Sequence, residues 1–235
     1  MRFQFLISII FLLLAQHVSA GITVTGTRII FPSNQQSVSI QLNNKLDKPA
    51  LAQLWLDDGD PSLIPSADKI PFIITPPLSE ISAKRGQMVR IIVKDKSQLP
   101  ADRESLFWFN VLDIPSKHQD NTENTLQISI RTRLKLFYRP KNLVINQNQA
   151  FNLVKFKYDD LTGQVEVHNP SPYFLNFFDV VLVSNQDTKT YNQNLMLAPY
   201  ATEKFNPEIS FQPTQLKYQL INDYGVKQSY SILLK

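Results

Sequence analysis

The sequence predicts an all-β protein built as two sandwiches, and three observations carry that prediction. Past the first twenty residues, runs rich in Val, Ile, Phe and Tyr alternate with a period of two. Pro, Asn, Asp and Gly punctuate these runs at the spacing of antiparallel strands, as in Asp58-Gly59-Asp60-Pro61, Thr75-Pro76-Pro77 and Gln98-Leu99-Pro100-Ala101. No helical periodicity is sustained beyond two turns. At 235 residues, 43% hydrophobic and 19% charged, the chain can bury two cores or one large one, and is neither a disordered tail nor a collagen-like rod.

The elements follow in order. Residues 1–20 read as a signal peptide, with Arg2 as the positive end, an apolar run over 5–15, and small residues Val18-Ser19-Ala20 before cleavage. The run is shorter than the roughly 20 residues a bilayer span needs, and Gln16 and His17 interrupt it. The expectation is a mature chain from Gly21, exported and not inserted in a membrane. It has no cysteine, so core burial alone must hold it. A first domain, 21–140, is expected to contain strands at 22–31, 37–42, 51–56, 72–75, 87–93, 106–112 and 125–138. A second, 141–235, is expected to contain strands at 153–158, 164–168, 173–183, 195–197, 216–221 and 227–234, with Asn169-Pro170-Ser171-Pro172 as a turn.

The stretch 126–138 says most. Leu126, Ile128, Ile130, Thr132, Leu134 and Leu136 share one parity, and Gln127, Ser129, Arg131, Arg133 and Lys135 the other. Its thirteen residues exceed twice the usual strand of about five or six. One reading is a long core strand with a charged outer face. The other is an edge strand that overhangs the core and offers Leu126, Ile128 and Ile130 to another chain by strand addition.

Catalytic patterns are scarce. The sequence has no Cys nucleophile, Gly-x-Ser-x-Gly, P-loop or His-Glu-x-x-His, so neither an enzyme nor a metal or cofactor is expected. His118 and His168 read as ordinary surface or strand-end residues, and Asp57-Asp58 and Asp159-Asp160 as strand-end turns. Trp55 and Trp108 lie in apolar strand patterns and read as core. A net charge of +4, from 24 basic and 20 acidic residues without a run of like charge, argues against nucleic-acid binding.

Short segments in order carry a resemblance: Thr27-Arg28-Ile29-Ile30-Phe31, the run from Pro49 to Trp55, Thr75-Pro76-Pro77-Leu78, Met88-Val89-Arg90, the run from Leu99 to Asn110, Lys135-Leu136-Phe137-Tyr138-Arg139-Pro140, Asn169-Pro170-Ser171-Pro172-Tyr173 and Ile221-Asn222-Asp223-Tyr224-Gly225. They resemble the PapD-like periplasmic chaperones of the chaperone-usher pilus pathway. The resemblance implies two immunoglobulin-like sandwiches in an L or boomerang, without catalysis or cofactor. Its partners would be pilus subunits, an adhesin among them, and an outer-membrane usher. The chaperone lends its long strand to close the open groove of an incomplete subunit. Leu126, Ile128 and Ile130 match the donated residues, and Arg28 and Lys135 the anchor for the subunit's C-terminal carboxylate. Because Lys135 has the opposite parity to Leu126, a bulge or strong twist is expected if both face the subunit. Glu104, Arg139 and Asp223 match an interdomain ion network. Pro49, Pro76 and Pro77 match surface prolines in mutual contact near the usher-facing end, with Arg90 on that surface.

The chain departs from the pattern at Arg85-Gly86, where many members have Pro-Gly, and it lacks the disulfide some carry. A short connection over 115–125 resembles the branch that assembles rod-like adhesive pili. An apolar edge strand left open also leads to an expectation of self-association in the free protein. A different class, a secreted carbohydrate-binding or carbohydrate-active sandwich, would place Trp55, Trp108 or a carboxylate pair at an open site.

Overall fold

The computed structural model describes residues 21–62, 65, 69–114 and 128–234, so the signal segment, the connection over 115–125, His118 and Leu126 lie outside the described residues. Among the described residues the first domain holds β1 (Ile22–Val24), β2 (Arg28–Pro32), β3 (Ser37–Asn44), β4 (Ala50–Asp57), β5 (Phe72–Thr75), β6 (Leu78–Ile81), β7 (Gly86–Val93), β8 (Ser105–Ile114) and β9 (Ile130–Arg139). One sheet runs β1-β3-β7-β5 and the other β2-β9-β8-β4-β6. Alternate residues of both sheets, including Leu42, Ile91, Phe109 and Leu136, form one fully buried core. Phe31, Phe72 and Tyr138 fill its end, with ring centroids 5.2–6.1 Å apart.

The run at 22–31 is two strands, not one. Gly26, at φ +95°, turns the chain out of one sheet and into the other. So β1 pairs with β3, while β2 pairs in parallel with β9 beginning at Arg28 opposite Lys135. Among the described residues, those of β9 before Lys135 are paired only with β8.

The second domain holds α1 (Gln147–Asn152), β10 (Lys155–Asp159), β11 (Gln164–His168), β12 (Leu175–Val183), β13 (Thr188–Tyr191), β14 (Met196–Leu197), β15 (Thr202–Phe205), β16 (Gln215–Ile221) and β17 (Lys227–Leu233). A β10-β11-β15 sheet and a β13-β12-β16-β17 sheet, with β14 also on β12, share a core of Phe151, Val167, Leu182, Leu216 and Tyr218. Helix α1 lies just ahead of the strand expected at 153–158, which begins two residues later, at Lys155. Asn146 and Gln149 close a capping box, and the helix buries only Ala150 and Phe151, too few positions to mark a period. Strands β6, β13 and β15, absent from the sequence reading, are four-residue strands, and most of their side chains are polar.

Two expectations are corrected. Trp55 and Trp108 are not core: both are half-buried on the outer face of the β9-β8-β4 sheet. Asp57 is more than a turn residue, because it is fully buried and held by side chains of β8 and β9. Asp159 does close a turn, accepting from Leu161 N at 3.0 Å and Thr162 Oγ1 at 2.8 Å.

Candidate functional site

The parallel register of β2 and β9 sets Arg28 beside Lys135, on strands about 4.8 Å apart. Both side chains are half-buried where the two domains meet. Arg28 Nη1 donates to Ile221 O at 3.1 Å, and Lys135 Nζ donates to Asn176 Oδ1, both acceptors lying on the second domain. Arg28 Nε is buried without a hydrogen-bond partner. Neither cation has a carboxylate within salt-bridge distance among the described residues. Burial, with Arg28 as a second cation beside it, pushes the Lys135 ammonium from 10.5 down to about 8. Burial also lowers the Arg28 guanidinium, and Asp223 only partly offsets this. Two desolvated cations and an orphan donor make a site suited to a carboxylate.

Above this pair, β9 is open. Leu134 and Leu136 point into the core, whereas Ile130 and Ile128, two and three steps further along the same parity, are 57% and 66% exposed. The edge of β9 that β2 covers from Lys135 onward is unpaired over Ile130 to Leu134 among the described residues. No bulge interrupts β9: its register with β8 is continuous from Tyr138 to Ile130. The opposed parities therefore act through different faces. Ile128 and Ile130 project past the end of the core, and Lys135 lies at the base of the open edge on the outer face.

Arg139, at the end of β9, ties the domains together. Its Nε donates to Glu104 at 2.6 Å, and Nη1 and Nη2 donate to the two oxygens of Asp223 at 2.6 and 2.8 Å. Glu104, almost fully buried, also accepts from Phe174 N at 2.8 Å, and Gln147 supports Asp223 at 2.8 Å. Burial raises the Glu104 carboxyl despite Arg139. Burial alone would lower the Arg139 guanidinium, but the bonds and charges of Asp223 and Glu104 raise it instead. The three residues expected to form an ion network are thus in contact.

The prolines are not gathered as expected. The β4–β6 register places Pro49 beyond Ala50, which pairs with Ile81, while Pro77 lies level with Leu54. That separates them by about five strand residues, or roughly 17 Å. Pro76 and Pro77 do lie near Arg90, which pairs with Thr75 and is exposed.

The sequence pattern marks no site at Asn176 or Asn110, presents Asp57 only as a turn, and presents Arg131 and Arg133 only as a charged strand face. Asn176, 5% exposed, is polar at a position of β12 otherwise occupied by buried apolar residues, and that mismatch was the available signal. Arg131 and Arg133 stack on Trp55 and Trp108, with guanidinium carbons 4.8 and 4.1 Å from the ring centroids. The outer indole faces that sugar stacking would need are thereby occupied.

Comparison with known proteins adds to this geometry. Residues 21–144 match the family described as the pili and flagellar-assembly chaperone PapD N-terminal domain, and residues 149–232 the pili assembly chaperone PapD C-terminal domain. The chaperone protein HifB of Haemophilus influenzae is 40% identical over 214 residues, covering 89% of this chain and 86% of that protein. The probable fimbrial chaperone YadV of Escherichia coli K12 is 39% identical over 215 residues, 88% of this chain and 87% of that one. Its crystal structure covers 92% of this chain and all of its own, with a TM-score of 0.78. The CupB2 chaperone of Pseudomonas aeruginosa covers 90% of this chain and all of its own at 31% identity, with a TM-score of 0.75. Matched across both sandwiches in order, the chain belongs to the PapD family of pili-assembly chaperones.

Proposed function

We propose that this protein is a periplasmic chaperone that binds and caps fimbrial subunits by lending them β9, and hands them to an outer-membrane usher. The observation that carries the reading is a strand edge unpaired among the described residues, with exposed Ile128 and Ile130, ending at two cations that form no salt bridge there. An incoming strand gains main-chain hydrogen bonds along that edge, and its C-terminal carboxylate pairs with Arg28 and Lys135. Burying what Ile128 and Ile130 expose contributes about 2–4 kcal/mol before ordering costs. Leu126 extends the same set by parity. The mechanism is binding without chemical transformation, and in the free protein the same edge is open to a second copy. Pro76, Pro77 and Arg90 form the surface offered to the usher, with Pro49 on a separate part of it.

Export follows from the leader. Asp113 supports cleavage before Gly21: its Oδ2 accepts from Ile22 N at 3.0 Å, and its Oδ1 is buried with no partner. A Cβ on Gly21 would fall 1.9 Å from Oδ2. A free α-ammonium at Gly21 therefore arises next to a carboxylate with acceptor capacity to spare.

Periplasmic co-expression with a fimbrial subunit of the same organism tests the function. Wild-type protein is expected to co-purify with soluble subunit, and folded Lys135→Met, Arg28→Ala and Ile128→Asp variants are expected not to. Recovery of the subunit by all three variants would refute the assignment.

A further inference from the structure

Among the described residues the open part of β9 has a strand neighbour on one side only, and one-sided strands fray and slip. A slip of one residue would turn Ile128 and Ile130 to the opposite face. The side chains between them prevent it. Asp57, at the end of β4, and Asn110, in β8, are both fully buried, and Asn110 Nδ2 donates to Asp57 Oδ2 at 2.7 Å. Arg133 grips both Asp57 oxygens, through Nε at 3.2 Å and through Nη2. Arg131 Nη2 reaches Asp57 at 3.4 Å, and its Nε and Nη2 donate to Asn110 Oδ1 at 2.9 and 2.7 Å. Pro61 O accepts from Arg131 Nη1, Gly59 O accepts from Arg133 Nη2 at 3.0 Å, and each guanidinium lies on a tryptophan. Burial disfavours the charged Asp57, but its bonds from Arg133, Asn110 and Gly59 outweigh that and hold the carboxyl below its usual range.

We propose that Asp57 is a positioning residue for subunit capture: through Arg131 and Arg133 it holds the unpaired part of β9 extended and in register before a subunit arrives. This rests on the reading of β9 as a donated strand. The strand then meets its partner already ordered, so the complex forms without that ordering cost. The arrangement also places both tryptophans of the chain at the arginines of β9, which makes intrinsic fluorescence a reporter of the strand.

The test uses the full mature chain with Asp57→Asn. Its readouts are amide exchange by mass spectrometry, tryptophan fluorescence, and affinity for a synthetic peptide of alternating aliphatic residues ending in a free carboxylate. Exchange over residues 128–134 is expected to quicken about tenfold, with a fluorescence shift and an affinity loss of about tenfold. Exchange in β3, β7 and the second domain is expected to stay unchanged, as is exchange over 128–134 once peptide is bound. Arg131→Met, at a partly exposed side chain, is expected to do the same and serves if Asp57→Asn does not fold. Unchanged exchange over 128–134 overturns the proposal. So does faster exchange with unaltered affinity, and so does faster exchange spread over the whole first sandwich. Wild-type protein that fails to bind the peptide overturns the donated-strand reading itself, and the proposal with it.

Discussion

Lys135 is held in a state that costs the free protein stability and that, under the proposed function, serves binding. Its ammonium titrates near 8 in the folded protein against 10.5 in the unfolded chain, because burial and Arg28 disfavour the charge. Between those values the native state binds fewer protons than the unfolded state, so stability rises with pH across that window and the cost is complete below about pH 8. The unscreened cost is about 3.4 kcal/mol, and partial exposure reduces it to about 2 kcal/mol. Lys135→Met should therefore raise the melting temperature at pH 7 by about 4–8 °C, with the gain shrinking above pH 8 and gone by pH 11. Carboxylate binding needs the charged form, so a peptide acid should bind about tenfold more weakly for each pH unit above 8. At pH 8 it should take up about half a proton, measured by titration calorimetry in buffers of different ionisation enthalpy. The matching C-terminal amide should show neither effect. A destabilised Lys135→Met protein, or pH-independent binding of the acid between pH 7 and 10, would refute this reasoning.

Other substitutions probe the frame around the site. Arg139→Met leaves buried Glu104 without its cation and is expected to cost about 3–5 kcal/mol by denaturant unfolding at pH 7. The loss should be smaller at pH 5, where the carboxyl can protonate, and adding Glu104→Gln should restore most of it. Phe109→Ala, at a fully buried core position, should cost about 3–5 kcal/mol. Gly225→Ala places a Cβ 2.7 Å from Thr27 Oγ1 at a φ of +79°. A melting temperature lowered by several degrees is expected, since about 1–2 kcal/mol of backbone strain adds to the clash between domains.

The fold was legible where burial writes a period. In β4, β8, β9, β11 and β16 the inward residues alternate, and the strands lie within a residue or two of where alternation places them, apart from the start of β9. Elements held by other forces were not legible. Gly26 ends one strand and starts another by a left-handed turn, and no apolar pattern records a change of sheet. Helix α1 depends on a capping box and two buried side chains. Parity within 126–138 allowed an overhang as one of two readings, but did not say which edge is free, because that follows from β1 leaving for the opposite sheet. The two tryptophans misled for a related reason: an aromatic under an arginine alternates in sequence as a core residue does. Asp57 became informative only when the β4–β8–β9 register brought Asn110, Arg131 and Arg133 to it.

Amide exchange over residues 128–134, with and without a bound subunit, tests the donated strand most directly. In the free protein the amides directed away from β8 are expected to exchange freely, and in the complex the whole segment is expected to be protected together with Lys135. A soluble complex in which that segment exchanges as fast as in the free protein would contradict the account.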